Sequence, residues 1–179
     1  MILNNTFYRP ELDGLRALAV LSVIFFHLDF SLFRGGFLGV DIFFVISGYL
    51  ITNLILKDLN TKNFSFVSFL ERRIRRLAPA LLFVIIITIP LSFHYLSSGI
   101  IIDYFQSVFT TSIFISNYLF ALESNYFDVT SKLKPLIHTW SLSIEEQFYL
   151  IFPILLIVSY KINKKILIYL LLLLILVSL

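Results

Sequence analysis

Arg16 and His27 are the residues from which chemistry can start. Ten residues separate them, nine of them apolar, with Ser22 the exception. On an α-helix this step is close to three turns of about 3.6 residues, so the two side chains share a face, about 16 Å apart along the axis. A cation and an imidazole on so apolar a stripe are costly unless partnered. An ionisable residue within a membrane segment marks a functional site by default. Further groups lie downstream: Asp41, the arginines Arg72, Arg73, Arg75 and Arg76, and a run with His138, Trp140, Ser143, Glu145 and Glu146. An imidazole beside a carboxylate can take a proton from a hydroxyl that attacks a carbonyl, the carboxylate fixing the tautomer. That chemistry suits acyl transfer to an alcohol. Clustered guanidinium groups suit phosphate, which they grip in a planar, bidentate fork.

Each feature also has a plainer reading. A single histidine in an apolar helix commonly packs or hydrogen-bonds between helices. Four arginines beside a membrane commonly set topology or anchor lipid. Asp41 can pair with Arg16 or Arg34. Glu145 and Glu146 can serve a helix start, where carboxylates are favoured. His94 reads as interfacial, and the phenylalanines as lipid-facing or core.

The elements that must position these groups are apolar. The chain has 179 residues, 59% hydrophobic and 14% charged, with 20 Phe and 9 Tyr, and a mean hydropathy of +0.93. Several stretches approach or exceed the 18 residues that read as transmembrane. The fold class expected is all-α, a polytopic transmembrane bundle. There is no cysteine, which excludes thiol catalysis, disulfides and cysteine metal sites. Nothing points to a metal or to nucleic acid. The N-terminus lacks the pattern of a signal peptide.

Asp13 is expected to cap a first span of about residues 15–33. A glycine turn at 34–36 leads to a second span, about 37–56, and a polar loop at 57–63. An interfacial helix at 64–70 precedes the arginines, and Pro79 suits the first turn of a third span at about 80–96. A fourth runs from about 141 to 160. The apolar run 166–179 would begin a fifth, about five in all, and its shortness reads as the N-terminal part of a longer protein. The arginines, and Lys161 with Lys164 and Lys165, mark the cytoplasmic side, which puts the N-terminus inside. Parity then makes 105–122 re-entrant or interfacial, as irregular segments at membrane depth are when protein or water buries them. On this topology His27, Asp41, Glu145 and Glu146 converge in the outer half, opposite an inner arginine cluster.

Read together, these stretches resemble the acyltransferase-3 family of integral membrane acyltransferases, in its O-antigen acetylase-like branch. The resemblance rests on the run from Tyr8 to Val20, on His27, on the run from Gly36 to Thr52 (GFLGVDIFFVISGYLIT), on Arg72 to Leu81 (RRIRRLAPAL), and on Pro135 to Tyr149 (PLIHTWSLSIEEQFY). It implies one membrane-embedded acyltransferase domain, of which residues 1–179 are the N-terminal part, in a protein of about ten helices. The implied donor is acyl-CoA, usually acetyl-CoA, and the implied acceptor is a hydroxyl of a cell-surface polysaccharide such as lipopolysaccharide O-antigen. The family's Arg-x10-His pattern falls on Arg16 and His27. Its Arg-x-x-Arg pattern falls on Arg72 with Arg75 or on Arg73 with Arg76, the doublets leaving two registers.

The expected function is transfer of an acyl group from cytoplasmic acyl-CoA to an extracytoplasmic hydroxyl, in the inner (plasma) membrane. His27 would be the base, with Glu145 or Asp41 orienting it. Arg16, Arg72, Arg73, Arg75 and Arg76 would hold the donor. His138, Trp140, Ser143 and Glu146 are further candidates. Membrane lipid, the donor and a glycan acceptor are the partners expected. Two rivals stay open: a proton-coupled transporter, whose ionisable residues would form a relay, and an inactive fragment with a structural role.

Overall fold

The computed structural model describes residues 9–123, 134–162, 168, 169, 171–173 and 176. Tyr8, Lys164, Lys165 and much of the run 166–179 lie outside the described residues, as does 124–133 within the stretch expected outside the membrane. Among the described residues six helices dominate: α1 (Pro10–His27), α2 (Gly39–Asn60), α3 (Phe66–Tyr95), α4 (Ser98–Ser112), α5 (Ser116–Glu123) and α6 (Thr139–Ile162), with short 3-10 turns at Ser31–Phe33 and Gly36–Leu38. The segments Gly36–Asn60, Phe66–Tyr95 and Thr139–Ile162 are long and apolar enough to cross a membrane. The all-α bundle is the architecture expected. The chain forms two compact units, Met1–Leu56 and Lys57–Leu179.

In the first unit α1 begins earlier than expected. Pro10 occupies its first turn, with Glu11 and Asp13 close behind. A proline there gives up an N–H that has no helical partner, and acidic groups meet the positive helix end. Asp13 therefore lies inside the helix rather than capping it. The helix also ends earlier, at His27. The Phe30 N–H donates to Phe25 O and the Asp29 N–H to Phe26 O, with Asp29 at φ 57°. This is a Schellman stop, and the Phe25 and Phe30 rings meet edge-on at 5.3 Å beneath it. Such a stop is commonly glycine, so aspartate hid it.

α1 and α2 run antiparallel. The Arg9 guanidinium donates to the Tyr49 hydroxyl at 2.8 Å, while Gly36 and Gly39 press against the other part of α1. A Cβ on Gly36 would stand 2.1 Å from Ser22 O, and one on Gly39 2.4 Å from Ala19 O. Only glycine lets these backbones approach so closely.

In the second unit the interfacial helix and the third span are one helix. Ser65 caps α3, its Oγ accepting from the Ser68 N–H. Pro79 and Pro90 lie inside it, a placement membrane helices tolerate. Thirty residues at about 1.5 Å each make about 45 Å, against a hydrocarbon core of about 30 Å. The surplus is one end of the helix. The polar loop is shorter than expected, because α2 continues to Asn60 and stops at a second such turn, with Lys62 at φ 57°.

Residues 105–122 do not form one helix. α4 runs back along α3, Thr88 Oγ1 meeting Tyr104 Oη at 2.8 Å and Phe93 facing Phe105. It stops at Phe114, a bulky side chain at φ 56°. From there α5 turns back along α6. Together they form a helical hairpin, and α4 at about 22 Å is too short to cross a bilayer core of about 30 Å.

Candidate active site

The first unit carries Arg16, His27 and Asp41. α1 holds Arg16 and His27 on one face, as the spacing requires. His27 is exposed at the last position of the helix. Its Nδ1 lies 2.8 Å from Val23 O. A carbonyl only accepts, so Nδ1 carries the proton in this contact and Nε2 bears the lone pair of the neutral ring. The preceding helical turn thus orients Nδ1. Asp41 is exposed in the first turn of α2. Arg16 is half-buried. Its Nη1 lies 3.8 Å from Asp13 Oδ1, and its Nε is shielded without a hydrogen-bond partner among the described residues. A buried polar group left unsatisfied costs about 1–3 kcal/mol.

The second unit gathers the arginines and the carboxylates. The Arg73 guanidinium lies over the ring of Tyr149, 5.2 Å from its centroid, and 5.6 Å from that of Phe69. Phe69 and Tyr149 meet edge-on at 6.5 Å. The Tyr149 hydroxyl donates to Glu145 Oε1. Glu146 stands beside it, half-buried, with Oε1 lacking a hydrogen-bond partner among the described residues.

The four arginines are not equivalent. Arg72, Arg75 and Arg76 are exposed and Arg73 is half-buried. Arg75 is spent on Glu71, with Nη2 2.7 Å from Oε1. Arg76, three residues after Arg73, shares its face. The packing therefore sets Arg73 apart from Arg72, Arg75 and Arg76.

This arrangement corrects one expectation. Glu145 and Glu146 do not stand at the opposite end of the bundle from the arginines. Arg73 is level with Tyr149, and Leu77, Ala80, Leu81 and Val84 line one groove with His138, Thr139 and Leu142. α6 therefore starts beside the middle of α3 rather than at its far end. Hydropathy boundaries treat every span as starting at a membrane surface. Here the α4–α5 hairpin and residues 134–138 fill the space beyond the start of α6.

A ladder of hydroxyls sets that start. Thr111 Oγ1 lies 2.8 Å from Thr139 Oγ1, and Ser116 Oγ lies 3.1 Å from Thr139 Oγ1 and 2.8 Å from Ser143 Oγ. Thr111, Ser116 and Ser143 are buried. Ser143 thus joins helices, its hydroxyl engaged with Ser116. Gln147 Nε2 donates to Phe114 O at 2.8 Å and to Asn117 Oδ1 at 2.9 Å. It clamps the turn where Phe114 is held in a left-handed conformation that costs about 1–2 kcal/mol. His138 is exposed on the groove of about 310 Å³, and Trp140 lies in the first turn of α6. Reading residues by chemistry alone missed Gln147, Tyr149, Thr111, Ser116 and Thr139. Thr139, Gln147 and Tyr149 lie in the run that carries the family resemblance, while Thr111 and Ser116 were marked only by polarity within apolar segments; neither signal carries information about partners. Among the described residues no cluster of histidine and carboxylate side chains could hold a metal ion.

The chain resembles curated proteins along most of its length. It is 46% identical over 163 residues to the Bacillus subtilis (strain 168) protein named "Putative peptidoglycan O-acetyltransferase YrhL", covering 88% of this chain and 25% of the relative. It is 45% identical over 160 residues to the Staphylococcus aureus (strain MSSA476) protein named "Putative O-acetyltransferase SAS0844", covering 88% and 26%. With O-acetyltransferase OatA of Staphylococcus aureus (strain NCTC 8325 / PS 47) it shares 42% over 149 residues, 82% and 24%. The chain thus spans about a quarter of the length of these relatives. No solved structure matches it. The family model described as "Acyltransferase domain" matches residues 9–179, and the chain belongs to this acyltransferase-3 family.

Proposed function

We propose that the chain is part of a multi-pass membrane O-acyltransferase that moves an acetyl group from acetyl-CoA to a hydroxyl of a cell-wall glycan. The observation that carries this reading is Arg73, half-buried on the Tyr149 ring with Arg76 on the same face, in a protein whose relatives are named O-acetyltransferases. The name of the Bacillus relative favours peptidoglycan over lipopolysaccharide O-antigen as acceptor. Arg73 and Arg76 bind the donor's phosphates from the cytoplasmic side, with the N-terminus on that side too. His27 Nε2 takes the proton of the acceptor hydroxyl. The oxygen attacks the thioester carbonyl, the C–S bond breaks, and the proton passes to the leaving CoA thiolate. The products are an ester and free CoA. Arg16, on the His27 face, steadies negative charge along the donor arm.

The test uses the full-length protein in membrane vesicles supplied with labelled acetyl-CoA and a soluble glycan acceptor. His27→Ala should lower turnover by about 10²- to 10⁴-fold, the usual cost of losing a positioned base. His27→Gln should do the same, since a glutamine side chain cannot take the proton. A His27→Ala protein that inserts normally and turns over near the wild-type rate would exclude His27 as the base.

A further inference from the structure

Tyr149 joins the arginine and the carboxylate of the second unit. Its residue is 4% exposed, yet it carries a polar hydroxyl and lies beneath a cation. The Arg73 guanidinium is 5.2 Å from its ring centroid, and its hydroxyl donates to Glu145. Phe69 holds the ring from the side, centroids 6.5 Å apart, and Phe148 lies next to it at 6.1 Å. An arginine near the end of a long helix has high rotamer entropy and a tendency to extend toward water. A buried aromatic face opposes both by attracting the guanidinium. The hydroxyl, meanwhile, engages one Glu145 oxygen, which reduces the pull of that carboxylate on the guanidinium fork.

We propose that Tyr149 is a positioning residue for the acyl donor: its ring seats the Arg73 guanidinium and its hydroxyl holds Glu145, leaving the fork of Arg73 for the donor's phosphates. This rests on the reading of Arg73 as a donor contact. The ring's part is electrostatic, so it depends on the electron density of the aromatic face and not only on its shape. The effect belongs in donor affinity, because Tyr149 reaches the donor through Arg73 alone.

The experiment compares Tyr149→Phe with a series in which the phenylalanine at 149 is replaced by its 4-fluoro, trifluoro and pentafluoro analogues in the full-length protein. Fluorination drains the face while keeping the ring. The apparent KM for acetyl-CoA should climb along the series toward the value for Tyr149→Leu. That value is expected about 5- to 30-fold above wild type, the equivalent of a cation–π contact of about 1–2 kcal/mol. The kcat at saturating donor should change little. In an Arg73→Ala background the same series should be flat. A flat series in the presence of Arg73, or an equal climb in its absence, overturns the proposal. If Arg73→Ala leaves the KM unchanged, the donor reading fails and this one with it. A raised KM in Arg73→Ala with a flat series overturns the positioning role alone. The fluorinated series keeps the test decisive even where Tyr149→Leu fails to insert.

Discussion

In α2 the substitutions Gly39→Ala and Gly48→Ala add the same methyl group to the same helix and are expected to act in opposite directions. At Gly48 a Cβ meets nothing within 4 Å. Alanine there costs no packing, and the helix gains between zero and about 1 kcal/mol. At Gly39 the Cβ would stand 2.4 Å from Ala19 O and 2.8 Å from both Ser22 Oγ and Val23 Cγ2. An ordinary contact begins at 3.4 Å, so α1 and the start of α2 must part by about 1 Å, from 3.4 minus 2.4. Overpacking of this kind costs about 1–3 kcal/mol. Movement of Ser22 also disturbs its 2.8 Å bond to Ala19 O. The two variants should therefore differ by about 1–4 kcal/mol. Both are made in the full-length protein, solubilised in detergent, and heated in steps before size-exclusion chromatography. The midpoint of loss should fall for Gly39→Ala and hold or rise for Gly48→Ala. Because α1 carries Arg16 and His27, acetylation by Gly39→Ala should fall as well. Equal midpoints would refute the close approach of α1 to Gly39.

Gln147→Leu removes the donors to Phe114 O and Asn117 Oδ1. Leaving these acceptors unpaired should destabilise the detergent-solubilised protein by about 2–4 kcal/mol, seen as an earlier thermal midpoint and faster proteolysis near residue 114. Ser143→Ala loses one hydroxyl contact with Ser116 and should cost about 1 kcal/mol while acetylation continues; loss of activity in a stable Ser143→Ala protein would assign Ser143 a chemical role. Arg75→Lys should be nearly silent in stability and in donor KM, because Arg75 pairs with Glu71 across an exposed surface, where ion pairs contribute about 0–1 kcal/mol. Arg73→Lys should raise the KM, since an ammonium lacks the planar fork.

Composition and local pattern were sufficient for the class of molecule. Apolar runs near membrane length announced helices, and the all-α bundle follows because a backbone in lipid must satisfy its own hydrogen bonds. The spacing of Arg16 and His27 placed them on one face, since helical periodicity is a local property. The glycines at 35 and 36 announced a turn, but the close approach of Gly36 and Gly39 to α1 is a property of the folded chain. Tertiary structure decided which groups meet. Asp29 ends α1 at His27 through a left-handed turn that an aspartate does not advertise. That Arg73 alone of the four arginines lies on the Tyr149 ring became legible only in the folded chain. The depth of Glu145 and Glu146 depends on where α6 starts, and that is set by hydroxyl contacts between residues 23 to 28 positions apart in the chain. Periodicity and hydropathy report what a segment is, because backbone geometry and solvent preference act residue by residue. They do not report how far one helix slides along another, because that is decided by side chains that become neighbours only when the chain has folded.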